Sequence, residues 1–243
     1  MTATMIVLFL AACAGGAVVQ SVGGFGFGIL VMSVFPYILP SYGQAIAVTT
    51  LLSVVLTVSM AIRYRKQAVW QRIVAPFISF VIVSTLIARF TAGAQDVLLR
   101  RMLGVLLIAL SVYFIFFNGK ITLRPTIVNG LIVGALCGVT NVLFGIGGPP
   151  VVIYLLAVSQ SKEAYQGTVQ AYFALSDLYT LALRISGGLV TGQVLGLWGL
   201  GLLALGAGLV VGRMVFQRLK PATVRKLVYA VMALSGVTLL FAR

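Results

Sequence analysis

Residues 137–155 read Cys137-Gly-Val-Thr-Asn141-Val-Leu-Phe-Gly145-Ile-Gly147-Gly148-Pro149-Pro150-Val-Val-Ile-Tyr-Leu155. The run is strongly apolar, yet a glycine cluster and two adjacent prolines interrupt it. Proline removes a backbone donor and blocks helix continuation, and glycine opens positive-φ conformations. Broken backbone at membrane depth is tolerated only where it is buried in protein or lines a cavity. The stretch therefore predicts two helical arms meeting at a glycine tip with freed N–H groups. Transporters bind solutes at such tips.

A second copy lies upstream. A shift of 119 residues lays Phe25-Gly26-Phe27-Gly28 on Phe144-Gly145-Ile146-Gly147, Gly15 on Gly134, Thr49 on Thr168 and Arg65 on Arg184. With a few extra residues in the second copy, Arg89 meets Arg213 and Arg100-Arg101 meets Arg225-Lys226. The chain divides into a first repeat, 1–118, a linker, 119–125, and a second repeat, 126–243.

Of 243 residues, 61% are hydrophobic and 8% charged, and the mean hydropathy is +1.15. Soluble domains carry about 25% charged residues. This is a polytopic membrane protein with the lipid bilayer as its solvent. The net charge of +14 would suit nucleic acid, but the basic residues cluster in short loops, as the positive-inside effect requires. Nucleic acid is not a partner. Cys13 and Cys137 sit in apolar segments and read as packing residues. Residues 1–5 lack the basic region and cleavage site of a secretory signal, so the first segment is expected to be retained.

Met5–Leu39 reads as a broken hairpin ending in a Pro36/Pro40 turn. Helices follow at Gln44–Ile62, Ile73–Phe90 and Val97–Phe117. Pro125 suits the first turn of a new helix, after which Thr126–Leu156 repeats the broken hairpin. Ala164–Ile185, Val194–Phe216 and Ala222–Phe241 complete the second half. If each broken segment returns to its starting side, Arg63, Arg65, Lys66, Arg72, Lys120, Arg124, Lys162, Arg213, Arg218, Lys220, Arg225 and Lys226 share one side. That is twelve of the 17 basic residues. A single crossing would split them almost evenly. The returning hairpin is favoured, and it makes the halves inverted. Loops 63–72 and 213–226 are then cytoplasmic and both chain ends external, with Arg100-Arg101 an unexplained exception.

The candidate site is built on the tips Gly24, Gly26, Gly28, Gly145, Gly147 and Gly148, whose N–H groups and half-helix ends suit an anion. Asn141 is adjacent. Gly134/Gly138 and Gly208/Gly212 have the spacing of helix packing instead. Polar faces follow each hairpin: Thr49, Thr50 and Ser53 in the first half, Thr168, Gln170 and Tyr172 in the second. Their bland alternative is helix-to-helix hydrogen bonding. Asp177 is the one acidic residue well inside a predicted helix, a proton relay or counter-ion by default. Arg184 follows two turns later on the same face, giving either a coupling pair or a structural ion pair. Asp96 and Glu163 fall in loops and are expected to be solvated. Trp70 and Trp198 look like interfacial anchors. Without histidine, and with one buried carboxylate, enzyme chemistry is not supported, and no metal or cofactor is called for.

Gly-Gly-Phe-Gly-Phe-Gly-Ile-Leu-Val-Met at 23–32, followed by Ala-Val-Thr-Thr at 47–50, resembles the first signature of the sulfite exporter TauE/SafE transporters. Gly-Val-Thr-Asn-Val-Leu-Phe-Gly-Ile-Gly-Gly-Pro-Pro-Val-Val at 138–152, followed by Gln-Gly-Thr at 166–168, resembles the second. The resemblance covers essentially the whole chain. Where the family commonly has a third glycine after Gly147-Gly148, this chain has Pro149, which bears on the shape of the tip. The resemblance implies transport of a small sulfur-containing anion (sulfite, thiosulfate, sulfoacetate or a related sulfonate) across the bacterial cytoplasmic, or inner, membrane.

The expected protein is an all-α secondary transporter of two inverted repeats, each a broken, re-entrant-like hairpin plus three transmembrane helices. The anion sits between the two tips, bound by glycine N–H groups and Asn141, with Thr49, Ser53, Gln170 and Tyr172 as walls. Asp177, with Arg184, couples transport to protons. A passive anion channel, a carrier of another small organic anion and a non-transporting anchor subunit stand as alternatives. Homo-oligomer formation is left open.

Overall fold

Eleven helices are described in the computed structural model, which covers residues 1–90, 95–116, 124, 126–218 and 221–241, with the backbone alone for 22, 212–218 and 221–228. Among the described residues there is no strand. The first half holds α1 (Ala3–Gly23), α2 (Phe27–Met32), α3 (Phe35–Ile38), α4 (Tyr42–Tyr64), α5 (Gln71–Phe90) and α6 (Asp96–Phe116). The second holds α7 (Ile127–Phe144), α8 (Gly148–Val158), α9 (Lys162–Ser186), α10 (Gly192–Arg218) and α11 (Pro221–Leu240). The helical segments read from hydropathy fall within a few residues of these bounds. Pro221 opens α11 as expected; Pro125 and most of the 119–125 linker lie outside the described residues, as do parts of the 213–226 loop.

Among the described residues six helices are long and apolar enough to cross a bilayer: α1, α4, α5, α6, α7 and α10. A helix of 21 residues, such as α1, is about 31 Å long at 1.5 Å per residue, matching a hydrocarbon core of about 30 Å. The outer surface fits the same solvent. Val74, Ile78, Ile82 and Leu86 run down the exposed face of α5, and Leu98, Val105, Val112 and Ile115 down that of α6. Apolar stripes of this extent are not left to water.

Packing joins the halves rather than separating them. α1 lies against α10 and α7 against α5, while α4 pairs with α9 and α6 with α11. Small residues permit these approaches. A Cβ on Gly134 would meet the Pro76 carbonyl oxygen at 1.9 Å, and one on Gly208 the Ala14 oxygen at 2.4 Å. Gly104 and Gly236 face each other in the α6–α11 contact. The packing reading of Gly134 and Gly208 agrees with these contacts, and Cys13 and Cys137 are buried free thiols.

One expectation is refined and one corrected. The Pro36/Pro40 turn takes the form of a single helical turn, α3, followed by a bend, a refinement of the expectation. Asp96 is not a solvated loop residue: it opens α6, and its Oδ2 accepts the Tyr42 N–H at 2.8 Å. That N–H is one of the first-turn donors α4 cannot satisfy internally, so a carboxylate from α6 caps α4. Arg100, the topological exception, donates from Nη1 to the Pro36 carbonyl and so ties α6 to α3.

Candidate functional site

Both predicted tips form. α1 ends on Gly24 in the left-handed region (φ 78°), whose N–H donates to the Gln20 carbonyl at 2.8 Å. α2 starts after Gly26, also left-handed (φ 112°). In the second half α7 ends on left-handed Gly145 (φ 65°), whose N–H donates to the Asn141 carbonyl at 2.8 Å, and α8 starts after Gly147. The helix ends match Gly24 with Gly145 and Gly26 with Gly147. This register is two residues away from the one that sequence identity suggested, and it places Gln20 opposite Asn141.

The tips touch. A Cβ on Gly28 would fall 2.5 Å from the Gly145 carbonyl oxygen, so only glycine allows this approach. Beside the contact lies a cavity of about 50 Å³. About 10–15 Å³ on this measure admits one water, so a few waters or one small oxyanion fit.

The cavity is lined by Gly26, Gly28, Gly145, Gly147, Gly148, Ser53, Asn141 and Asp177 from the predicted set. Asp177 is 9% exposed. Its Oδ2 lies 3.0 Å from the Thr57 hydroxyl, which is itself 2.8 Å from the Ser53 carbonyl. Thr57 has one proton for two acceptors. The Thr57 hydroxyl donates to the Asp177 carboxylate and shares its proton with the Ser53 carbonyl; a protonated Asp177 donating to Thr57 would free that proton for Ser53 alone. The Asn141 amide approaches the same carboxyl and packs over Gly147, whose Cβ would fall 2.7 Å from Nδ2.

The remaining predicted residues lie elsewhere. Gly24 is behind the tip, its carbonyl accepting from Gln170 Nε2 at 2.8 Å. Thr49 donates to the Ala45 carbonyl of its own helix at 2.8 Å and packs its methyl against Gly145. Tyr172 is buried edge-on against Phe80 of α5. Thr168 accepts the Val69 N–H at 2.9 Å and fixes α9 to the loop before α5. Asp177 and Arg184 are not an ion pair. Arg184 donates to Thr50 Oγ1 (3.3 Å) and to the carbonyls of Asn141 (3.2 Å) and Val142 (2.9 Å), and lines a different cavity.

Sequence reasoning missed Gln20, Thr57, Phe25, Phe27, Ile29, Ile146 and Phe173 in the lining, which also includes Pro149. Gln20 Oε1 accepts the Phe27 N–H at 3.1 Å, capping α2. A repeat alignment anchored on helix ends would have found it opposite Asn141. The aromatic and aliphatic members carry no such signal, because they look like any other apolar residue of a membrane helix.

Helices with apolar outer faces, a shared interior and two touching broken hairpins define a multi-pass, all-helical membrane protein. The family model described as sulfite exporter TauE/SafE matches residues 8–239. The chain belongs to the sulfite exporter TauE/SafE family, a family of membrane transporters of sulfite and related anions. No curated protein and no solved structure matches it.

Proposed function

We propose that the protein is a secondary transporter that moves a small sulfur-containing anion, such as sulfite, thiosulfate, sulfoacetate or a related organosulfonate, together with a proton. One observation carries this reading: among the described residues, the single ionisable side chain lining the tip cavity is the Asp177 carboxyl. An anion about 5 Å from an ionised carboxylate is repelled by about 3 kcal/mol at an effective dielectric of about 20. Anion entry therefore favours protonated Asp177, and the Thr57–Ser53 chain accepts that form. Binding and proton uptake become linked in the same 50 Å³ cavity.

In this proposal the halves are inverted repeats, each a broken hairpin plus three membrane helices. The exchange of partners between α1–α10 and α5–α7 and the one-sided basic loops support that layout. Loops 63–72 and 213–226 face the cytoplasm of a bacterial cell, and alternating access comes from one bundle moving against the other. Gly26, Gly28, Asn141, Gly145, Gly147, Gly148 and Ser53 hold the anion; Gln170 at Gly24 and Thr49 at Gly145 support the tips from behind, and Tyr172 packs α9 against α5.

The test is transport by purified protein in proteoliposomes, offered sulfite, thiosulfate, sulfoacetate, taurine, sulfate and chloride with and without a pH gradient. Saturable, gradient-sensitive movement of one sulfur anion is expected. Asp177→Asn, a fixed mimic of the protonated acid, is expected to exchange anion but not to accumulate it against its gradient. Accumulation that keeps its full pH dependence in this variant removes Asp177 from coupling. Large single-channel currents indicate a pore instead.

A further inference from the structure

The second cavity, of about 310 Å³, holds the more basic chemistry. Among its lining residues are Tyr42, Asp96, Thr180 and Arg184. It is separated from the tip cavity by the last turn of α7: Asn141 lines the tip cavity, and Val142 and Leu143 line this one. Arg184 is 5% exposed, and among the described residues no carboxylate pairs with it.

A guanidinium has five N–H donors. Nε uses its one on Thr50 Oγ1, and Nη2 uses its two on the Asn141 and Val142 carbonyls. Nη1 keeps two N–H groups with no acceptor among the described residues, and Arg184 lines the cavity. The two carbonyls end α7 and bring only partial negative charge. A buried full charge normally has a full partner. Asp96 lines the same cavity, but its Oδ2 is engaged at the positive end of α4 by the Tyr42 N–H.

We propose that Arg184 forms a second anion site, a vestibule in which its two unbonded Nη1 N–H groups hold one small oxyanion, sulfonate or carboxylate. Paired N–H groups of arginine match two oxygens of such a ligand. Because Arg184 also grips the Asn141 carbonyl, the vestibule and the tip cavity share one helical turn as their wall. An anion drawn to Nη1 waits one turn of α7 away from the tips. This site does not depend on which anion the tip cavity carries, nor on whether the protein transports at all.

Ala88 also lines the vestibule and offers a reporter that leaves Arg184 intact. Ala88→Cys is labelled in the full-length protein with an anionic (sulfonatoethyl) or a cationic (trimethylammonioethyl) methanethiosulfonate, in the presence of methanesulfonate, sulfate or acetate. The anionic reagent is expected to react faster. One of the three anions is expected to slow labelling about tenfold when present at about ten times its Kd. Adding Arg184→Gln should abolish both the preference and the protection. Labelling rates unmoved by all three anions, with Arg184 in place, overturn the proposal, as does protection that persists in folded Arg184→Gln protein. If Arg184→Gln fails to fold, the Ala88→Cys result decides alone.

Discussion

At the first tip, Gly24 and Gly26 are both left-handed, and the Gly24 carbonyl is held by Gln170 of α9, from the other half. At the second tip only Gly145 is left-handed, Pro149 and Pro150 stiffen the start of α8, and the residue in the place of Gln170 is Thr49. Thr49 gives its hydroxyl proton to its own helix and offers Gly145 only a methyl. The second tip is held instead from α7, by its own Asn141 and by Arg184 on the last carbonyls of that helix. One tip is pinned across the halves by a neutral amide. The other hangs from a helix end whose last carbonyls are held by a charged side chain. A backbone break copied twice is held in two different ways, and the difference lies in the side chains behind the glycines.

The largest test of this comparison removes the contact that both tips share. Gly28→Ala places a methyl against backbone, not against a side chain that can swing away, and overpacking of this kind costs about 1–3 kcal/mol. The expected outcome is near-complete loss of proteoliposome transport and a lower unfolding midpoint in detergent. Full transport by a folded Gly28→Ala protein would show that the tips need not touch.

Next in size is a matched pair. Gly24→Ala imposes a side chain on a left-handed residue, at about 1–2 kcal/mol, and crowds the end of the Gln166 side chain. Gly147→Ala has an ordinary φ of −96°, and its methyl meets first the Asn141 side chain, with Nδ2 at 2.7 Å and Cβ at 3.0 Å. Gly24→Ala should therefore lower stability with little change in anion affinity. Gly147→Ala should weaken anion binding with little change in stability. Thermal unfolding and anion titration, measured on both, separate the two roles; equal effects on both readouts would dissolve the distinction between a fixed and a binding tip.

Much of this arrangement is legible in 137–155 and its upstream copy, because glycine and proline act locally and membrane helices declare themselves by length. The occupancy of the cavity is not. Thr49, Ser53 and Thr57 are spaced four apart on one face of α4, yet only Ser53 and Thr57 reach the cavity; depth along the axis separates them, and a helical wheel has no depth. The same blindness paired Asp177 with Arg184. Seven residues return to the same face but climb about 10 Å at 1.5 Å per residue, enough to carry Arg184 past the end of α7 into another cavity. Asp96 was invisible as a cap because its partner, Tyr42, is 54 residues away.

The smallest expected effect falls on the two residues that hold, or fail to hold, the tips from behind. Gln170 is fully buried, and its Oε1 has no hydrogen-bond partner among the described residues while Nε2 serves Gly24. Gln170→Met removes one bond worth about 1 kcal/mol, but it also removes an unsatisfied acceptor that is costly to bury, so the net loss should be well under 1 kcal/mol. Thr49→Val deletes a bond to a carbonyl that α4 already occupies, and should be neutral within about 0.5 kcal/mol. Stability alone therefore barely separates them, whereas hydrogen exchange at the tips should. Gln170→Met is expected to speed exchange of the first-tip amides and leave the second tip unchanged, and Thr49→Val to change neither. If Thr49→Val loosened the second tip as Gln170→Met loosens the first, the two halves would be gripping their hairpins alike, and the asymmetry would reside in Arg184 alone.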